Sequence, residues 1–275
     1  MLDEAELERL EVELVLEAIL KRWGYDFRNY ARESVRRRLS GAARSFGLGG
    51  ILELIPPLLR DEAFFASLLA QMTVPVTEMF RDPPFFQTFR ADVVPLLKTY
   101  PFAKLWHAGC ATGEEVYSMA ILLAQEGLAE RAMIYATDLS EAALERARQG
   151  IYPLGKMKEY TRNYQRAGGL EPFSSYYLAS YESAIMDQSL KRNVVFSTHN
   201  LAMDGVFSEM HCIVCRNVLI YFNRTLQQRV LRLFHESLVR GGILVLGAKE
   251  SLRFSDLADR FTVVNDKWRI YRKIS

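Results

Sequence analysis

The sequence predicts an α/β protein in which a doubly wound, mostly parallel sheet follows a small all-α domain. From about residue 103 onward, short apolar runs alternate with amphipathic helical segments, a pattern typical of a parallel sheet with helices on its faces. The first 70 residues instead carry helical periodicity without strand-like alternation. We therefore expect a helical domain over residues 1–75 and an α/β domain over residues 76–275.

Composition restricts the class of protein further. The 275 residues are 49% hydrophobic and 25% charged, which is too apolar for a disordered chain. A net charge of only +2 excludes binding to nucleic acid by bulk charge, and three cysteines are no disulfide framework. Since we find neither a basic leader with an apolar stretch nor an apolar run of about 18 residues, we expect a cytoplasmic protein.

Charge is concentrated in the helical region. Leu7, Leu10, Leu14 and Ala18 form one apolar stripe in a first helix that is otherwise rich in glutamate. Residues 21–44 hold eight Lys and Arg against two acids, a local charge of +6. A solvated helix face is the usual meaning of such a run, and an acidic partner is the alternative. Residues 73–76 read as an extended link out of this domain.

The α/β region divides into five strands, three helices and a closing hairpin. We predict strands over 103–108, 132–137, 193–197, 211–215 and 242–247; helices over Glu114–Gln125, Ser140–Gln149 and Thr225–Leu238; and a hairpin over 261–273. Residues 150–192 break the alternation, with two glycines followed by an aromatic and β-branched stretch. We interpret them as a small antiparallel insertion. Cys212 and Cys215 have no accompanying ligand pair or histidine cluster, so we expect no metal site.

A glycine turn joins the first predicted strand to the first predicted helix. It turns on Gly109 and Gly113 and enters a helix that begins with Glu114 and Glu115. This is the nucleotide position of a doubly wound fold, but the third glycine of the dinucleotide fingerprint is missing. Two carboxylates at a helix N-terminus repel phosphate. The turn therefore favours S-adenosylmethionine, which has no phosphate and carries two cationic groups, over a nicotinamide dinucleotide.

Acidic side chains in and beyond this turn have both functional and structural interpretations. Asp138 ends the next strand, where it can accept hydrogen bonds from two ribose hydroxyls, or it can cap the following helix, although Ser140 already offers a cap. Glu114 and Glu115 can be no more than favourable helix-dipole charges. We favour ribose binding for Asp138 and a ligand role for Glu114 more than for Glu115.

Five segments together resemble one family over nearly the whole chain. They are Thr77-Glu-Met-Phe-Arg81, Ala108-Gly-Cys-Ala-Thr-Gly-Glu-Glu-Val-Tyr-Ser118, Ala136-Thr-Asp-Leu-Ser140, His199-Asn-Leu201 and Cys215-Arg-Asn-Val-Leu-Ile-Tyr-Phe222. In this order and spacing they resemble the CheR-type chemotaxis receptor methyltransferases. The resemblance implies a Rossmann-like class I methyltransferase domain with a β-subdomain insertion, preceded by a helical domain with a basic helix.

The resemblance also implies the site residues. The expected cofactor-binding residues are Thr77, Arg81, Gly109, Glu114, Asp138, Asn200, Leu201 and Asn217, with Arg81 and Tyr221 beside the transferred methyl group. Pro75 departs from the asparagine of many relatives, which removes a side-chain amide contact. Read without the family, Asn200 can form an Asx turn, Asn217 can cap the next turn, and Tyr221 can be core.

The implied reaction transfers the sulfonium methyl group to the γ-carboxylate of a receptor glutamate, giving a methyl ester and S-adenosylhomocysteine. A substrate glutamate with a pKa near about 4.3 is already anionic at pH 7, so no general base is needed. Arg81 then has an electrostatic and positional role, and Tyr221 donates a hydrogen bond. A non-catalytic module that binds the cofactor or a receptor is the alternative, and methylation of a small molecule or nucleic acid is a weaker one.

The expected partner is the cytoplasmic region of methyl-accepting chemoreceptors, with no nucleic acid and no insertion into the membrane. The basic helix resembles part of the family's N-terminal helical domain. Its positive charge suits an acidic receptor region, so we expect receptor contacts from Arg32, Arg36, Arg37 and Arg38. Relatives that tether to a C-terminal receptor pentapeptide carry glycines in a loop of the β insertion. This chain has no glycine between Phe173 and Val195, so we expect an enzyme that does not use the tether.

Overall fold

The structure is a computed structural model, and it describes residues 3–73, 77–253 and 255–275. These residues separate into two compact units, residues 3–73 with 219–230 and residues 77–218 with 231–275. The expected extended link lies largely outside the described residues, and so does Pro75. Among the described residues, no helix has both the length and the apolar composition needed to cross a bilayer.

The first unit is helical, as predicted. Its helices are α1 (Glu4–Trp23), α2 (Arg32–Ser45), α3 (Ile55–Arg60) and α4 (Glu62–Met72). Helix α1 begins with a capping box in which Asp3 and Glu6 exchange side-chain hydrogen bonds with each other's backbone, and it ends at Gly24 in the left-handed conformation. Asp61 caps α4 through the backbone N–H groups of Ala63 and Phe64.

Helix α1 buries a different face from the one its leucines suggest. Leu7, Leu10 and Leu14 are 41–47% exposed, whereas Val15 and Ile19 are buried. The sequence offers two apolar stripes on this helix, and periodicity alone does not decide which of them packs. The remaining helices of the unit decide it by covering the valine and isoleucine side.

Residues 219–230 belong to the first unit, although they follow the α/β strands in the chain and we predicted them to be in the second domain. The backbone N–H of Ala31 donates to the carbonyl of Tyr221 at 2.8 Å. The rings of Tyr30 and Phe222 meet edge to face, with centroids 4.9 Å apart. These contacts have a sequence separation of about 190 residues, so no local pattern reveals them.

The second unit is a seven-stranded sheet with helices, which confirms the predicted fold class. Its helices are α5 (Pro83–Thr88), α6 (Val94–Leu97), α7 (Glu114–Gln125), α8 (Glu141–Gln149) and α9 (Met157–Arg166); α10 (Arg224–Ser237) contributes residues to both units. The sheet strands are β1 (Ala103–Ala108), β2 (Ala132–Asp138), β6 (Val194–Thr198), β7 (Met210–Cys215), β8 (Leu238–Leu246), β9 (Phe261–Asn265) and β10 (Ile270–Lys273).

Strand order places the predicted site segments side by side. The order is β6-β2-β1-β7-β8-β10-β9. The first five strands in this order are parallel to one another, and β10 pairs antiparallel with both β8 and β9. Parallel strands bring their carboxyl ends to one edge, and the strand order reverses beside β1. The loops after β1, β2, β6 and β7 therefore meet at this edge.

The predicted antiparallel insertion is also present. Strands β3 (Ile151–Pro153), β4 (Tyr177–Ser180) and β5 (Ser183–Met186) form a small sheet in the order β3-β5-β4. Helix α9 precedes β4 in this insertion. Its Asn163 donates from Nδ2 to the carbonyl of Met79 at 3.2 Å, which connects the insertion to the segment that carries Arg81.

Candidate functional site

The glycine turn after β1 has a backbone that requires its glycines. Gly109 and Gly113 have φ of +76° and +91°, a region that other residues rarely adopt. A Cβ on Gly109 would lie 2.5 Å from Cγ2 of Val218. The N–H groups of Gly109 and Cys110 donate to the carbonyl of Thr137 at 2.8 and 2.9 Å, so the turn is fixed to the end of β2.

Asp138 at the end of β2 accepts hydrogen bonds from backbone N–H groups. Its Oδ2 accepts from the N–H of Ala111 at 2.8 Å and its Oδ1 from the N–H of Ser140 at 2.9 Å. Burial raises the pKa of this carboxyl, although those N–H groups oppose the rise. A carboxylate has about four acceptor positions, so acceptor capacity remains after these contacts. Asp138 does not cap the next helix, which was its structural interpretation, because Ser140 is the N-cap of α8 and accepts from the N–H of Ala143. The Asp138 carboxylate therefore leaves room for a ligand.

Glu114 opens α7 as a buried carboxylate, only 6% exposed. Its Oε2 accepts from the Thr112 hydroxyl at 2.6 Å. Burial raises the pKa of Glu114, and the hydrogen bond from Thr112 and, to a smaller extent, the charge of Lys156 oppose the rise. A cation that binds beside a desolvated carboxylate stabilises its ionised form, because the cation replaces the interactions with water that burial removed.

Glu115, the next residue, is already paired. Its Oε2 accepts from Nη1 of Arg216 at 2.6 Å, and its Oε1 lies 3.4 Å from Nδ1 of His107. Burial opposes ionisation, but the Arg216 charge and the His107 contacts outweigh it and lower the pKa of Glu115 to about 2. Glu114 and Glu115 are thus neighbours in sequence whose pKa values are shifted in opposite directions.

Sequence analysis missed Arg216, whose side chain is only 1% exposed. Nη2 of Arg216 donates to Oδ2 of Asp82 at 2.6 Å, and its guanidinium lies 4.0 Å from the ring centroid of Phe85. The available signal was an arginine directly after an apolar strand. Its partners are 101 and 134 residues away in sequence, so that signal does not identify them.

The Thr77–Arg81 segment has unusual backbone geometry around Arg81. Phe80 and Asp82 both have positive φ, +53° and +59°. The N–H of Phe80 donates to the hydroxyl of Ser118 at 2.8 Å, which fixes this segment to α7. Burial and the neighbouring Glu159 raise the pKa of Glu78, whereas the Arg81 charge opposes the rise. Thr77 is half-buried at the start of the segment.

Asn217 is held in a left-handed conformation, with φ of +61°, by a carboxylate that the sequence did not single out. The N–H groups of Asn217 and Val218 donate to Glu250 at 3.2 and 2.9 Å. The N–H of Gly247 donates to the same carboxylate at 2.5 Å. Glu250 therefore shapes the loop after β7, which also contacts Gly109 through Val218.

Asn200 forms the Asx turn that we considered as its structural interpretation. Its Oδ1 accepts from the N–H of Ala202 at 3.0 Å, and its own N–H donates to Asp204 at 2.7 Å. Within the described part of the chain, its side-chain NH₂ has no acceptor. Leu201 follows as a buried residue. The amide donor that base recognition needs is therefore not consumed by the turn.

The structure brings most predicted site residues to one edge of the sheet and places others in the helical unit. Four neighbouring parallel strands bring five of them to their carboxyl ends or to the segments that follow: Gly109, Glu114, Asp138, Asn200 and Asn217. Tyr221 belongs to the first unit, where the guanidinium of Arg38 lies 4.7 Å from its ring centroid. Its expected position beside the methyl group stays a prediction.

Comparison with known proteins settles the family. Residues 10–73 match the family described as CheR methyltransferase, all-alpha domain, and residues 75–270 match CheR methyltransferase, SAM binding domain. The chain belongs to the CheR family of methyltransferases. A candidate methyltransferase of Pseudomonas putida, Cher3, is 53% identical over 96% of this chain and 97% of its own length. The chemotaxis protein methyltransferase of Salmonella typhimurium is 30% identical over 90% of this chain and 85% of its own length, and that of Escherichia coli is 31% identical over 90% and 86%.

As a CheR methyltransferase, the protein uses S-adenosylmethionine to methylate glutamate side chains of chemoreceptors. The family resemblance, the cofactor and the enzymatic activity predicted from sequence are confirmed. The local structure fits this cofactor. No side chain fits at position 109, because a Cβ there would meet Val218. Glu114 is a buried carboxylate suited to a cation, and Asp138 keeps acceptor capacity for hydroxyl groups.

Proposed function

We propose that the loops at the carboxyl edge of the sheet bind the cofactor in separate parts. Glu114 binds the cationic methionine end, Asp138 accepts from the ribose hydroxyls, and the NH₂ of Asn200 donates to the adenine edge. The remaining cofactor contacts come from Thr77, Arg81, Gly109, Leu201 and Asn217. The supporting observation is the buried Glu114, because a desolvated carboxylate next to the glycine turn favours a cation and disfavours phosphate.

We propose that Arg81 and Tyr221 act on the transfer step without acid–base chemistry. Bound S-adenosylmethionine supplies an electrophilic methyl group. Arg81 holds the incoming glutamate carboxylate in line by charge and hydrogen bonding, and the Tyr221 hydroxyl donates to the reacting groups. Since the carboxylate is already ionised at pH 7, alignment and exclusion of water are what these residues contribute.

The experiment for this assignment is mass spectrometry of receptor cytoplasmic fragments after incubation with the protein and isotope-labelled cofactor. We expect labelled glutamate methyl esters with the wild type and a loss of about a hundredfold in rate with Arg81→Ala. The exposed Arg60→Ala on α3 is the matched control and keeps the wild-type rate. An Arg81→Ala enzyme at the wild-type rate overturns the proposed role of Arg81.

We propose that the basic helix α2 docks receptors mainly through Arg37. Arg36 lies 3.1 Å from both Glu8 and Glu33, and Arg32 lies 3.1 Å from Glu13. Arg38 stacks on Tyr221 and donates to the carbonyl of Met72. Arg37 is exposed and has no ion-pair partner among the described residues. An acidic receptor helix meets Arg37 first.

Arg32 and Arg36 become available to a receptor by exchange of partners. Their ion pairs with α1 are solvent-exposed, and such pairs contribute little to stability. An acidic receptor helix therefore displaces Glu13 and Glu8 at small cost. We propose on this basis that receptor docking depends on charge and weakens as salt is added.

We also propose that the protein acts in the cytoplasm on the cytoplasmic region of chemoreceptors.

We propose further that it does so without a pentapeptide tether. Strand β4 is the edge of the small sheet, so the topology itself leaves a strand position open. The proposal rests on the turn between β4 and β5. Tyr181 and Glu182 form it without glycine, and Tyr181 is fully exposed with φ of +52°. A bulky turn hinders the close backbone approach that strand addition needs.

A further inference from the structure

A buried ion network links the start of α7 to the segment that carries Arg81. Arg216 lies at the end of β7 and bonds Glu115 at 2.6 Å on one side and Asp82 at 2.6 Å on the other. Its Nη1 also approaches the carbonyl of Arg81 at 3.5 Å. We propose that Arg216 is a positioning residue, which through Asp82 fixes Arg81 relative to the glycine turn. This inference rests on the proposed function of Arg81.

The geometry uses the planar fork of arginine. One face of the guanidinium packs on Phe85 at 4.0 Å, which fixes the plane, and the two terminal nitrogens then point to different carboxylates. A lysine carries a single charged nitrogen and does not reproduce this arrangement. Arg216 thereby joins the loop after β7, the N-terminus of α7 and the start of α5.

The backbone beside Arg81 explains why such a link is needed. Phe80 and Asp82 flank Arg81, and both have positive φ. A residue with a side chain rarely adopts this conformation, and it persists only when the surroundings enforce it. Ser118 holds Phe80 through its backbone N–H, and Arg216 holds the Asp82 side chain. Arg81 lies between these two anchors.

Fold stability alone does not account for this network. The Asp82 side chain is 43% exposed, whereas the side chain of its partner Arg216 is 1% exposed. The pair therefore joins a buried guanidinium to a carboxylate that is partly in water. Buried ion pairs are often neutral for stability compared with apolar side chains of similar volume. What the network does provide is a defined position for the segment around Arg81.

The test compares two matched changes of carboxylate to amide in the second unit. Asp82→Asn removes the charge that Arg216 contacts, and asparagine still tolerates positive φ. Glu126→Gln is the control, since Glu126 also joins two cations, Arg90 and Lys98, but lies at the other end of α7. We expect Asp82→Asn to lower kcat for receptor methylation about tenfold or more, and to weaken binding of S-adenosylhomocysteine by a smaller factor, since Arg81 is one of several cofactor contacts. Glu126→Gln leaves both at wild-type values.

A double-mutant cycle separates positioning from simple stabilisation. If Asp82 acts through Arg81, Asp82→Asn has no further effect on the rate in an Arg81→Ala background. Independent losses that multiply overturn the inference, and so does a fall in kcat that follows a fall in Tm. Loss of function in Arg81→Ala alone, with no effect of Asp82→Asn, overturns the positioning role and leaves the proposed function intact. Arg216→Lys should lower kcat in the same way, because one ammonium group does not replace the two-sided contact with Glu115 and Asp82. If that variant does not fold, the Asp82→Asn results still decide.

Discussion

The carboxylate of Asp138 holds two backbone segments in place, and it can also accept hydrogen bonds from a ligand. It fixes the turn through Ala111 and the next loop through Ser140, and it retains acceptor capacity for a ligand. Residue-scale arguments about this site therefore have to separate lost ligand contacts from a loosened turn. That separation is possible because the two effects are measured differently, one by affinity and the other by unfolding.

We expect Asp138→Ala to weaken binding of S-adenosylhomocysteine by about 1–3 kcal/mol, through the loss of charge-assisted hydrogen bonds. Calorimetric titration measures the affinity, and a thermal melt measures the loosening of the turn. Glu145→Ala, an exposed residue on α8, is the control for removing a carboxylate nearby. Unchanged affinity in Asp138→Ala removes this residue from the ribose.

We expect Tyr221→Phe to lower the single-turnover rate of methylation by about tenfold at saturating cofactor, with a smaller effect on cofactor affinity. The reason is that a hydroxyl near the reacting groups matters more in the transition state than in the bound complex. Tyr30→Phe, an aromatic neighbour of Phe222 in the same unit, is the control. A wild-type rate in Tyr221→Phe assigns this residue to the core.

Glu115 gives a pH prediction with a defined sign. Its pKa falls from an ordinary 4.5 to about 2 in the folded protein, so its stabilising contribution is complete above pH 4.5 and is lost as the pH falls toward 2. We expect Glu115→Gln to lower the free energy of unfolding by about 3 kcal/mol at pH 7, from the 1.36 kcal/mol that each pKa unit represents.

Urea unfolding of the wild type and Glu115→Gln between pH 2 and pH 7 measures this difference. The gap between the two proteins should close as the pH drops. The raised pKa values of Glu114 and Asp138 act in the opposite direction, but they affect both proteins and cancel in the difference. A gap that stays constant across this range contradicts the assignment to Glu115.

At the scale of elements, helix α2 shows that a basic stretch of sequence does not by itself give a positively charged surface. Of the four arginines assigned to receptor binding, Arg32 and Arg36 pair with α1, and Arg38 stacks on Tyr221. The acidic first helix thus neutralises much of the local charge of +6 that the sequence concentrates in residues 21–44. Of the four arginines assigned to receptor binding, Arg37 is the one that is exposed and has no ion-pair partner among the described residues.

We expect Arg37→Glu to slow receptor methylation about fivefold at low salt, because it repels the acidic methylation region, and to leave cofactor affinity unchanged. The wild-type rate should also fall as salt screens the contact. Arg60→Glu, an exposed reversal on α3, is the matched control. Equal effects of both reversals, or a rate insensitive to salt, count against docking through α2.

At the scale of the whole molecule, the question is how the enzyme reaches its receptor. A free receptor-tail pentapeptide should show no binding by calorimetry, since the turn between β4 and β5 contains Tyr181 and no glycine. Methylation of full-length and tail-truncated receptors should then proceed at the same rate. Micromolar peptide binding, or a slower rate on the truncated receptor, shows that a glycine-free turn accepts a tether.

The sequence by itself determined the fold class and the cofactor. Strand β1 and helix α7 lie at the predicted residues, because a buried parallel strand and an amphipathic helix each have a distinct local pattern. The preference for a cationic ligand likewise follows from Glu114 and Glu115 at one helix N-terminus. Periodicity, capping and charge sign are local properties, so they can be read from one stretch of chain.

Only the tertiary structure decided which side chains support the site. Arg216 reaches Asp82 and Glu115 across more than 100 residues of chain, and Glu250 organises the loop of Asn217 from 33 residues away. The same holds for the first helix, which buries Val15 rather than its exposed leucines. A residue's chemistry is written in the sequence, but its burial and its partner depend on which distant segments the topology brings beside it. That dependence is why Glu114 and Glu115, adjacent and identical in type, have pKa values shifted in opposite directions.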